Sequence, residues 1–312
     1  MEKIYDIIII GGGPASMSAG VYAKQMKLDS LLIEKEKFGG QIATTSLVTN
    51  YLGFERITGE ELSLKMHDHL ESTGIEIANE EVVNTALKDD IKVVKTHNNS
   101  YKTRSVIIGM GTSVRNLGVD NEKKYIMKGI SFSTLRDREK YSEQVVAVVG
   151  GGNSAIEDAI YLSEKCKKVY LVHRRNEFRA DPQVVEDLER TIANRGNIEL
   201  VLESKPHSIE GEEVISSINL THIPSGEIKR LEVNCIFVAI GRGADTDIVD
   251  ENILRNESGY IITNDKMETN IPGVYAVGDI RNTPLRQIVT AVSDGAIAVV
   301  SARNYLQSQT KQ

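Results

Sequence analysis

Residues 145–179 read VVAVVGGGNSAIEDAIYLSEKCKKVYLVHRRNEFR. The run rich in β-branched residues predicts a buried strand, the glycines predict a tight turn, and a helical pattern leads to a second strand at 169–173. This order is typical of a βαβ unit that binds a dinucleotide, because glycines let the backbone approach a pyrophosphate and the helix N-terminus offers it free N–H groups. The residues predicted to line this loop are Gly150, Gly152, Asn153, Ser154 and Ala155.

The end of the second strand predicts which nucleotide binds. It carries Arg174 and Arg175, with Arg179 four residues further on, and no acidic residue stands at that point. An acidic residue would bind the ribose hydroxyls of NAD and repel a 2′-phosphate, whereas arginines make charge-assisted contacts with a phosphate. The sequence therefore favours NADPH over NADH, and we expect His173 beside the arginines to line the ribose.

The N-terminal part of the chain repeats the same pattern. An apolar run at 5–10 is followed by GGGPAS at 11–16, a helical segment to about Gln25 and a short strand that ends at Glu34. Glu34 lies 21 residues after Gly13, which is close to the spacing of a ribose-binding carboxylate. Two such units in one chain are typical of a flavoenzyme that binds two nucleotides.

The rest of the chain predicts an α/β fold with some antiparallel additions. A capped helix is expected at 58–73, an antiparallel insert at 75–104, a strand at 105–111 and a hairpin at 217–233. Further predictions are a strand at 234–240, linkers at 112–118 and 242–248, a strand at 274–277 and a long helix from about 284 to 306.

Composition narrows the functional class. The chain has 312 residues and a net charge of −7, which disfavours a general nucleic-acid surface. It shows no apolar run of membrane-spanning length and no signal-peptide pattern, so we expect no membrane partner. The two cysteines exclude a disulfide scaffold and suit a reducing, cytoplasmic location. No metal-ligand spacing is present, and His67-Asp68-His69 is interpreted as a solvated helix face.

Several short motifs together resemble the low-molecular-weight thioredoxin reductase family over nearly the whole chain. They are the first glycine loop, Gly39-Gly40-Gln41, Val277-Gly278-Asp279, PLRQIVTA at 284–291 and FVAIG at 237–241. The resemblance implies two Rossmann-like three-layer domains, with an NADPH-binding domain at 117–244 inserted into an FAD-binding domain at 1–116 and 245–312, and a homodimer. It implies FAD contacts from Gly11, Gly13, Pro14, Ala15, Glu34, Gly40, Gln41, Asn50, Gly278, Asp279, Arg286 and Gln287, and it adds Gly241 to the NADPH site.

The resemblance fails at one place. In the family a Cys-x-x-Cys pair shortly before the second glycine loop takes electrons from the flavin and passes them to a thioredoxin disulfide. Here the corresponding positions hold Ser133 and Arg136. Asp137 matches the family's adjacent acid and is the candidate catalytic residue; its alternative role is a helix cap or an ion-pair partner of Arg136 or Arg138.

The expected function is therefore that of an FAD-dependent oxidoreductase that oxidises NADPH and passes electrons to a non-dithiol acceptor. The acceptor could be ferredoxin, flavodoxin, a quinone or another small oxidant. Two alternatives stay open: a thioredoxin-disulfide reductase that needs an external thiol, and a non-catalytic FAD- and NADPH-binding redox sensor. We expect Cys166 and Cys235 to be structural thiols, because they are 69 residues apart.

Overall fold

The computed structural model describes residues 3–45, 47–244, 246 and 248–309. The strands are β1 (Ile4–Ile10), β2 (Ser30–Glu34), β3 (Glu76–Asn79), β4 (Val82–Ala86), β5 (Lys92–Thr96), β6 (Ser100–Ile108), β7 (Thr112–Val114), β8 (Ile130–Ser131), β9 (Val145–Gly150), β10 (Lys168–Val172), β11 (Ile198–Val201), β12 (Ser204–Gly211), β13 (Ile215–His222), β14 (Ile228–Glu232), β15 (Cys235–Ala239), β16 (Arg242–Ala244) and β17 (Val274–Ala276). The α-helices are α1 (Pro14–Gln25), α2 (Gly59–Ser72), α3 (Thr134–Asp137), α4 (Asn153–Ser163), α5 (Pro182–Arg195) and α6 (Ile288–Gln309).

The chain forms two compact units. The first comprises residues 1–113 and 243–312, and the second comprises residues 114–242. These bounds lie within three residues of the boundaries expected at 116/117 and 244/245. Asp245 and Asp247, in the predicted return linker, lie outside the described residues.

The first unit is built on a parallel sheet with β1 near its centre. The strand order is β3-β2-β1-β6, all parallel, and β17 pairs with the end of β6 on the side away from β1. The N-terminal half of β6 pairs instead with β5, and β4 completes an antiparallel meander. Both faces of the central strands are buried, which explains why 4–10 is an almost uninterrupted apolar run.

Three layers result in the first unit. On one face, Ile7, Ile9 and Leu32 pack against helices α1 and α6. On the other face, Ile8 and Ile10 pack against the meander and the segment around residues 249–271. The helices approach each other closely because α6 carries Gly295, where a Cβ would lie 2.1 Å from the carbonyl oxygen of Ala15.

The second unit has the same three-layer plan. Five parallel strands run in the order β11-β10-β9-β15-β8. Val146 and Val148 face helices α4 and α5, whereas Ala147 and Val149 face a separate antiparallel sheet of β12, β13 and β14. The expected α/β class with two Rossmann-like three-layer domains is confirmed.

Four local expectations were wrong. The strand at 76–79 does not join the antiparallel insert but pairs in parallel with β2. Residues 100–108 form one continuous strand that pairs with β5 in the antiparallel region and with β1 in the parallel region. The sequence predicts two elements here instead, the end of the insert at 75–104 and a separate strand at 105–111. The interval between the strand at 169–173 and the hairpin at 217–233, for which no element was predicted, holds helix α5 and strands β11 and β12. Helix α6 begins at Ile288, four residues later than expected.

Among the helices of the described residues, none has the length and apolar character required to cross a membrane.

Candidate functional site

The first glycine loop joins β1 to α1. Gly11 has a left-handed φ of +108°, and a Cβ there would lie 2.5 Å from the carbonyl oxygen of Gly109, so only glycine suits this position. A Cβ at Gly13, in contrast, meets no atom within 4 Å. Gly13 is the N-cap of α1 and no side chain caps the helix, so the N–H groups of the first turn are left for a ligand.

Glu34 lies beside this loop, as the spacing predicted. A Cβ at Gly12 would contact Cγ of Glu34 at 2.7 Å. The Oε1 atom of Glu34 accepts the backbone N–H of Glu36 at 2.8 Å. This bond fixes the carboxylate at the end of β2 and leaves its second oxygen able to accept a ribose hydroxyl.

Two distant segments converge on the same helix N-terminus. A Cβ at Gly40 would lie 3.6 Å from Cα of Gly13. Gly278 has φ +71°, and a Cβ there would lie 3.1 Å from Cβ of Ala15. Gln41 links the segments by donating from Nε2 to the Asp279 carboxylate at 3.2 Å. The structure therefore brings together residues that lie 238 positions apart in the chain.

The remaining predicted FAD residues form a second group. Asn50 donates from Nδ2 to Oε1 of Gln287 at 2.9 Å. The Arg286 guanidinium lies over the ring of Tyr260 at 4.1 Å, an arrangement that holds the cation by its attraction to the ring. Within the described part of the chain, no hydrogen bond connects the Asn50–Gln287 pair to the first glycine loop.

A buried ion pair near this site was missed at the sequence level. Asp294 of α6 accepts the backbone N–H of Gly278 at 3.0 Å and pairs with Arg281 at 3.2 Å. Burial raises the pKa of Asp294, although the neighbouring Arg281 opposes this shift. The sequence did carry a signal, because an aspartate within the apolar helix sequence IVTAVSDGAIAVV has to find a partner.

The second glycine loop joins β9 to α4 and is even more tightly packed. A Cβ at Gly150 would lie 2.3 Å from the carbonyl oxygen of Ala239, and one at Gly151 would lie 2.1 Å from the His173 ring. Gly152 again has open space, and it is the N-cap of α4 without a side-chain cap. The two loops thus share one design, in which packed glycines precede a glycine that faces free space.

The basic segment after β10 is bound to this loop. Arg179 donates its backbone N–H to the carbonyl oxygen of Gly151 at 2.8 Å. Asn153 donates from Nδ2 to Asp181 at 2.6 Å and accepts the Asp181 backbone N–H at 2.8 Å. Ser154 is exposed in the first turn of α4, and Gly241, with φ +88°, forms the turn after β15.

The guanidinium groups of Arg174, Arg175 and Arg179 are exposed. Within residues 3–45, 47–244, 246 and 248–309, none of the three is in a salt bridge or a side-chain hydrogen bond. Uncompensated cations beside a helix N-terminus form a strong anion site. Burial, together with the three arginines, lowers the pKa of His173, whose ring stacks on Phe178.

Asp137 is engaged in an ion pair. It accepts two hydrogen bonds from Arg136, at 2.8 and 3.1 Å, and one from Ser131 at 2.6 Å. The hydrogen bonds from Arg136 and Ser131 lower the pKa of Asp137 against the opposing effect of burial. Ser133 caps α3 by accepting the backbone N–H of Arg136. These contacts support the ion-pair role of Asp137, because a carboxylate with a low pKa is a weak proton donor at neutral pH.

Both thiols are buried and unpaired. Burial raises the pKa of Cys166 to about 11 and that of Cys235 to about 12. A thiol with so high a pKa is almost entirely protonated at neutral pH and is a poor nucleophile.

One acidic cluster lies on α2 away from the loops. The ligand atoms of His67, Asp68 and Glu71 lie within 4.8 Å of one another. Asp68 and Glu71 are exposed, and the His67 ring packs on Phe38. This is the ordinary arrangement of a charged helix surface and supplies no metal assignment.

Two glycine-rich βαβ sites, one followed by a glutamate and the other by arginines, define a flavin- and pyridine nucleotide-dependent oxidoreductase. The chain matches the pyridine nucleotide-disulphide oxidoreductase family over residues 5–295. It is 38% identical to a thioredoxin reductase of Bacillus subtilis, over 98% of this chain and 96% of that protein. It is also 36% identical to a 34.2 kDa protein in the rubredoxin operon of Clostridium pasteurianum, over 98% of each chain.

Solved structures agree. Lactococcus lactis thioredoxin reductase, in its FR conformation, superposes with a TM-score of 0.79 at 35% identity, over 97% of this chain and 99% of that one. The chain belongs to the pyridine nucleotide-disulphide oxidoreductase family, within its low-molecular-weight thioredoxin reductase group. FAD and NADPH are the cofactors of this group, and the open space at Gly13 and Gly152 fits a pyrophosphate at each loop.

Proposed function

We propose that this protein oxidises NADPH and passes the electrons through FAD to an acceptor that is not a dithiol. The observation that carries the proposal is the placement of its two cysteines. Cys166 and Cys235 are both buried, and they are 69 residues apart in the sequence. A dithiol relay needs an accessible nucleophilic thiolate, whereas burial in the core keeps both thiols protonated and out of reach of a disulfide partner.

The NADPH end of the reaction rests on the second unit. The first turn of α4 would hold the pyrophosphate, while Arg174, Arg175 and Arg179 would bind the 2′-phosphate through charge-assisted hydrogen bonds. The neutral His173 ring packs under Gly151 and shapes the loop rather than adding a further positive charge.

The FAD end rests on the first unit. The α1 N-terminus would bind the pyrophosphate, Glu34 the ribose hydroxyls, and Asp279 the polyol chain between phosphate and ring. A bound flavin supplies hydride acceptance and electron release. The protein orients the Asp279 carboxylate. Gln41 donates a hydrogen bond to this carboxylate, and the bond from the Gly278 N–H to Asp294 fixes the turn that carries it.

A second candidate function is favoured by the relatives' names. Several relatives at 35–38% identity are called thioredoxin reductases, which favours thioredoxin as the acceptor. For this chain, such activity would require an external thiol to replace the absent pair.

By the same resemblance we propose that the protein is a homodimer located in the cytoplasm. Analytical ultracentrifugation would test the dimer.

An anaerobic titration tests the proposal. NADPH is added to the purified yellow protein while the flavin absorbance is followed, and menadione, ferredoxin, flavodoxin, rubredoxin or thioredoxin is then added in turn. We expect NADPH to bleach the flavin and at least one non-dithiol acceptor to restore the yellow colour repeatedly. Failure of NADPH to bleach the flavin, or turnover with thioredoxin alone, would overturn the proposal; bleaching without turnover on any acceptor would favour a redox sensor.

A further inference from the structure

The basic segment after β10, residues 174–181, is held to the second glycine loop by a pair of side chains. Asn153, the first residue of α4, donates from Nδ2 to the Asp181 carboxylate at 2.6 Å and accepts the backbone N–H of Asp181 at 2.8 Å. We call these two opposed hydrogen bonds the Asn153–Asp181 clasp. The clasp joins the first turn of the nucleotide-binding helix to the end of the segment that carries the arginines.

The position of Asp181 in the chain suits a different task. It is the N-cap residue of α5, where an aspartate commonly accepts an N–H of the first helical turn. Its side chain makes no such capping bond and turns back to Asn153 instead. A carboxylate this close to the N-terminus of α4 also places negative charge beside an anion site, which by itself weakens the binding of a phosphate. The hydrogen bond of Asp181 and its charge therefore have opposite expected effects on a bound nucleotide.

The rest of the basic segment is anchored through its backbone. Arg179 donates its N–H to the carbonyl oxygen of Gly151 at 2.8 Å, and Glu203 donates its N–H to the carbonyl oxygen of Arg175 at 3.2 Å. The arginine side chains themselves are exposed. A long side chain loses less entropy on binding a phosphate when the backbone beneath it is already fixed. Because the clasp lies two residues from Arg179, it restrains the backbone that carries this cation.

We propose that Asp181 is a positioning residue for NADPH, which holds Arg179 in place for the 2′-phosphate through its clasp with Asn153. Asp181 acts through these neighbours and does not bind the nucleotide itself. The inference rests on the proposed function, because it takes the 2′-phosphate of NADPH as the ligand of the arginines. It adds to that function a residue whose charge alone would argue against a role in binding an anion.

Nucleotide binding to the FAD-loaded protein tests the clasp. Isothermal titration calorimetry measures the Kd of adenosine 2′,5′-bisphosphate, which carries the 2′-phosphate, and competition measures that of AMP, which lacks it. We expect Asp181→Ala to raise the Kd of the bisphosphate about fivefold, which corresponds to one lost hydrogen bond, and to leave the Kd of AMP unchanged. Glu186→Ala, which removes an exposed carboxylate from the same helix, is the control and should change neither value.

A conservative variant separates the hydrogen bond from the charge. In Asp181→Asn the amide oxygen can still accept the bond from Nδ2 of Asn153, so we expect the bisphosphate to bind as tightly as to the original protein, or more tightly. Tighter binding to both Asp181→Ala and Asp181→Asn would show that only the charge of Asp181 matters, and would overturn the inference.

A double-mutant cycle tests whether the two residues act together. Asn153→Ala removes both bonds of the clasp, so we expect the Kd of the bisphosphate to rise about tenfold, and adding Asp181→Ala should raise it no further. Effects that multiply, or an Asp181→Ala variant that behaves like Glu186→Ala, would contradict the inference. If the original protein binds AMP as tightly as the bisphosphate, the proposed NADPH site itself fails.

Discussion

At the residue scale, we propose that three unpaired arginines decide the choice of nucleotide. Arg174, Arg175 and Arg179 surround the end of β10 without acidic partners in the described part of the chain, so their charge is available to a 2′-phosphate. If charge-assisted bonds to the 2′-phosphate cause the preference for NADPH, the arginines should matter for NADPH and not for NADH, which lacks that phosphate. This distinction separates a specific site from a general basic surface.

Replacing Arg174 and Arg175 with alanine should lower kcat/KM for NADPH by about 10- to 100-fold per lost phosphate contact and leave that for NADH nearly unchanged. The measurement is steady-state menadione reduction with each nucleotide. Arg195→Ala, which removes one positive charge from the exposed end of α5, is the control for each single replacement and should leave both values unchanged. Equal losses with NADPH and NADH would contradict the 2′-phosphate assignment.

Asp137 should contribute to stability through its ionised form. Its folded-state pKa is lowered, chiefly by the hydrogen bonds from Arg136, so the stabilisation is present above the unfolded pKa and is lost as pH falls through the folded pKa. Asp137→Asn should therefore reduce the free energy of unfolding by about 1 kcal/mol at pH 7, because Arg136 is half exposed, and by less at pH 3.

Urea denaturation at both pH values measures this difference. Asp187→Asn, which breaks an exposed ion pair with Arg190 on α5, is the control and should cost about 0.5 kcal/mol or less. If Asp137→Asn abolished NADPH-driven menadione reduction while the protein remained folded and yellow, a catalytic role would replace the structural one.

At the scale of elements, helices α1 and α6 owe their close approach to Gly295. The Cβ of Gly295→Ala would lie 2.1 Å from the carbonyl oxygen of Ala15 and 2.9 Å from the backbone nitrogen of Ala19. Backbone atoms cannot move aside as a flexible side chain can, so the helices must separate. We expect a loss of about 1–3 kcal/mol in the free energy of unfolding, measured by urea denaturation.

Gln307→Ala, on the exposed end of the same helix, should change the stability of the protein by less than about 0.5 kcal/mol. Because α1 also carries the first glycine loop, Gly295→Ala should weaken FAD retention on dilution as well. Unaltered stability together with unaltered FAD retention would show that the two helices tolerate a wider spacing.

The elements that the sequence predicts well are those with a local signal. The runs at 4–10 and 145–150 are buried on both faces and each leads directly into consecutive glycines, so both glycine loops could be located from sequence alone. Helix α5 was missed although Val184, Leu188 and Ile192 recur at helical spacing after Pro182. The parallel pairing of β3 with β2 depends on contacts between residues 45 positions apart, which no local pattern encodes.

The residues of the candidate sites were likewise predictable only where the sequence carries a local signal. The residues of the second glycine loop were found by pattern, but the Asp294–Gly278 bond and the Gln41–Asp279 bond connect segments whose nearness only the folded chain reveals. The ion pair between Asp137 and Arg136 could be stated only as one of several roles, because adjacent residues in a sequence do not fix side-chain direction.

At the scale of the whole molecule, electron transfer should not depend on sulfur. Replacing Cys166 and Cys235 together with alanine should lower stability by about 1–3 kcal/mol, since both side chains fill buried space. NADPH-driven menadione reduction should persist at the original rate per bound flavin. A folded, yellow double variant without this activity would show that one of the buried thiols takes part in the reaction.

The most direct test of the account is NADPH oxidation by the FAD-loaded protein with oxidised thioredoxin as the acceptor, without any added small thiol, compared with menadione under the same conditions. We predict steady turnover with menadione and none above background with thioredoxin, because both thiols are buried and neither is a reactive thiolate that could reduce a disulfide. Thioredoxin-dependent NADPH oxidation above background by the original protein would contradict this prediction, and its loss in the Cys166/Cys235 double-alanine variant would show that these thiols carry the electrons.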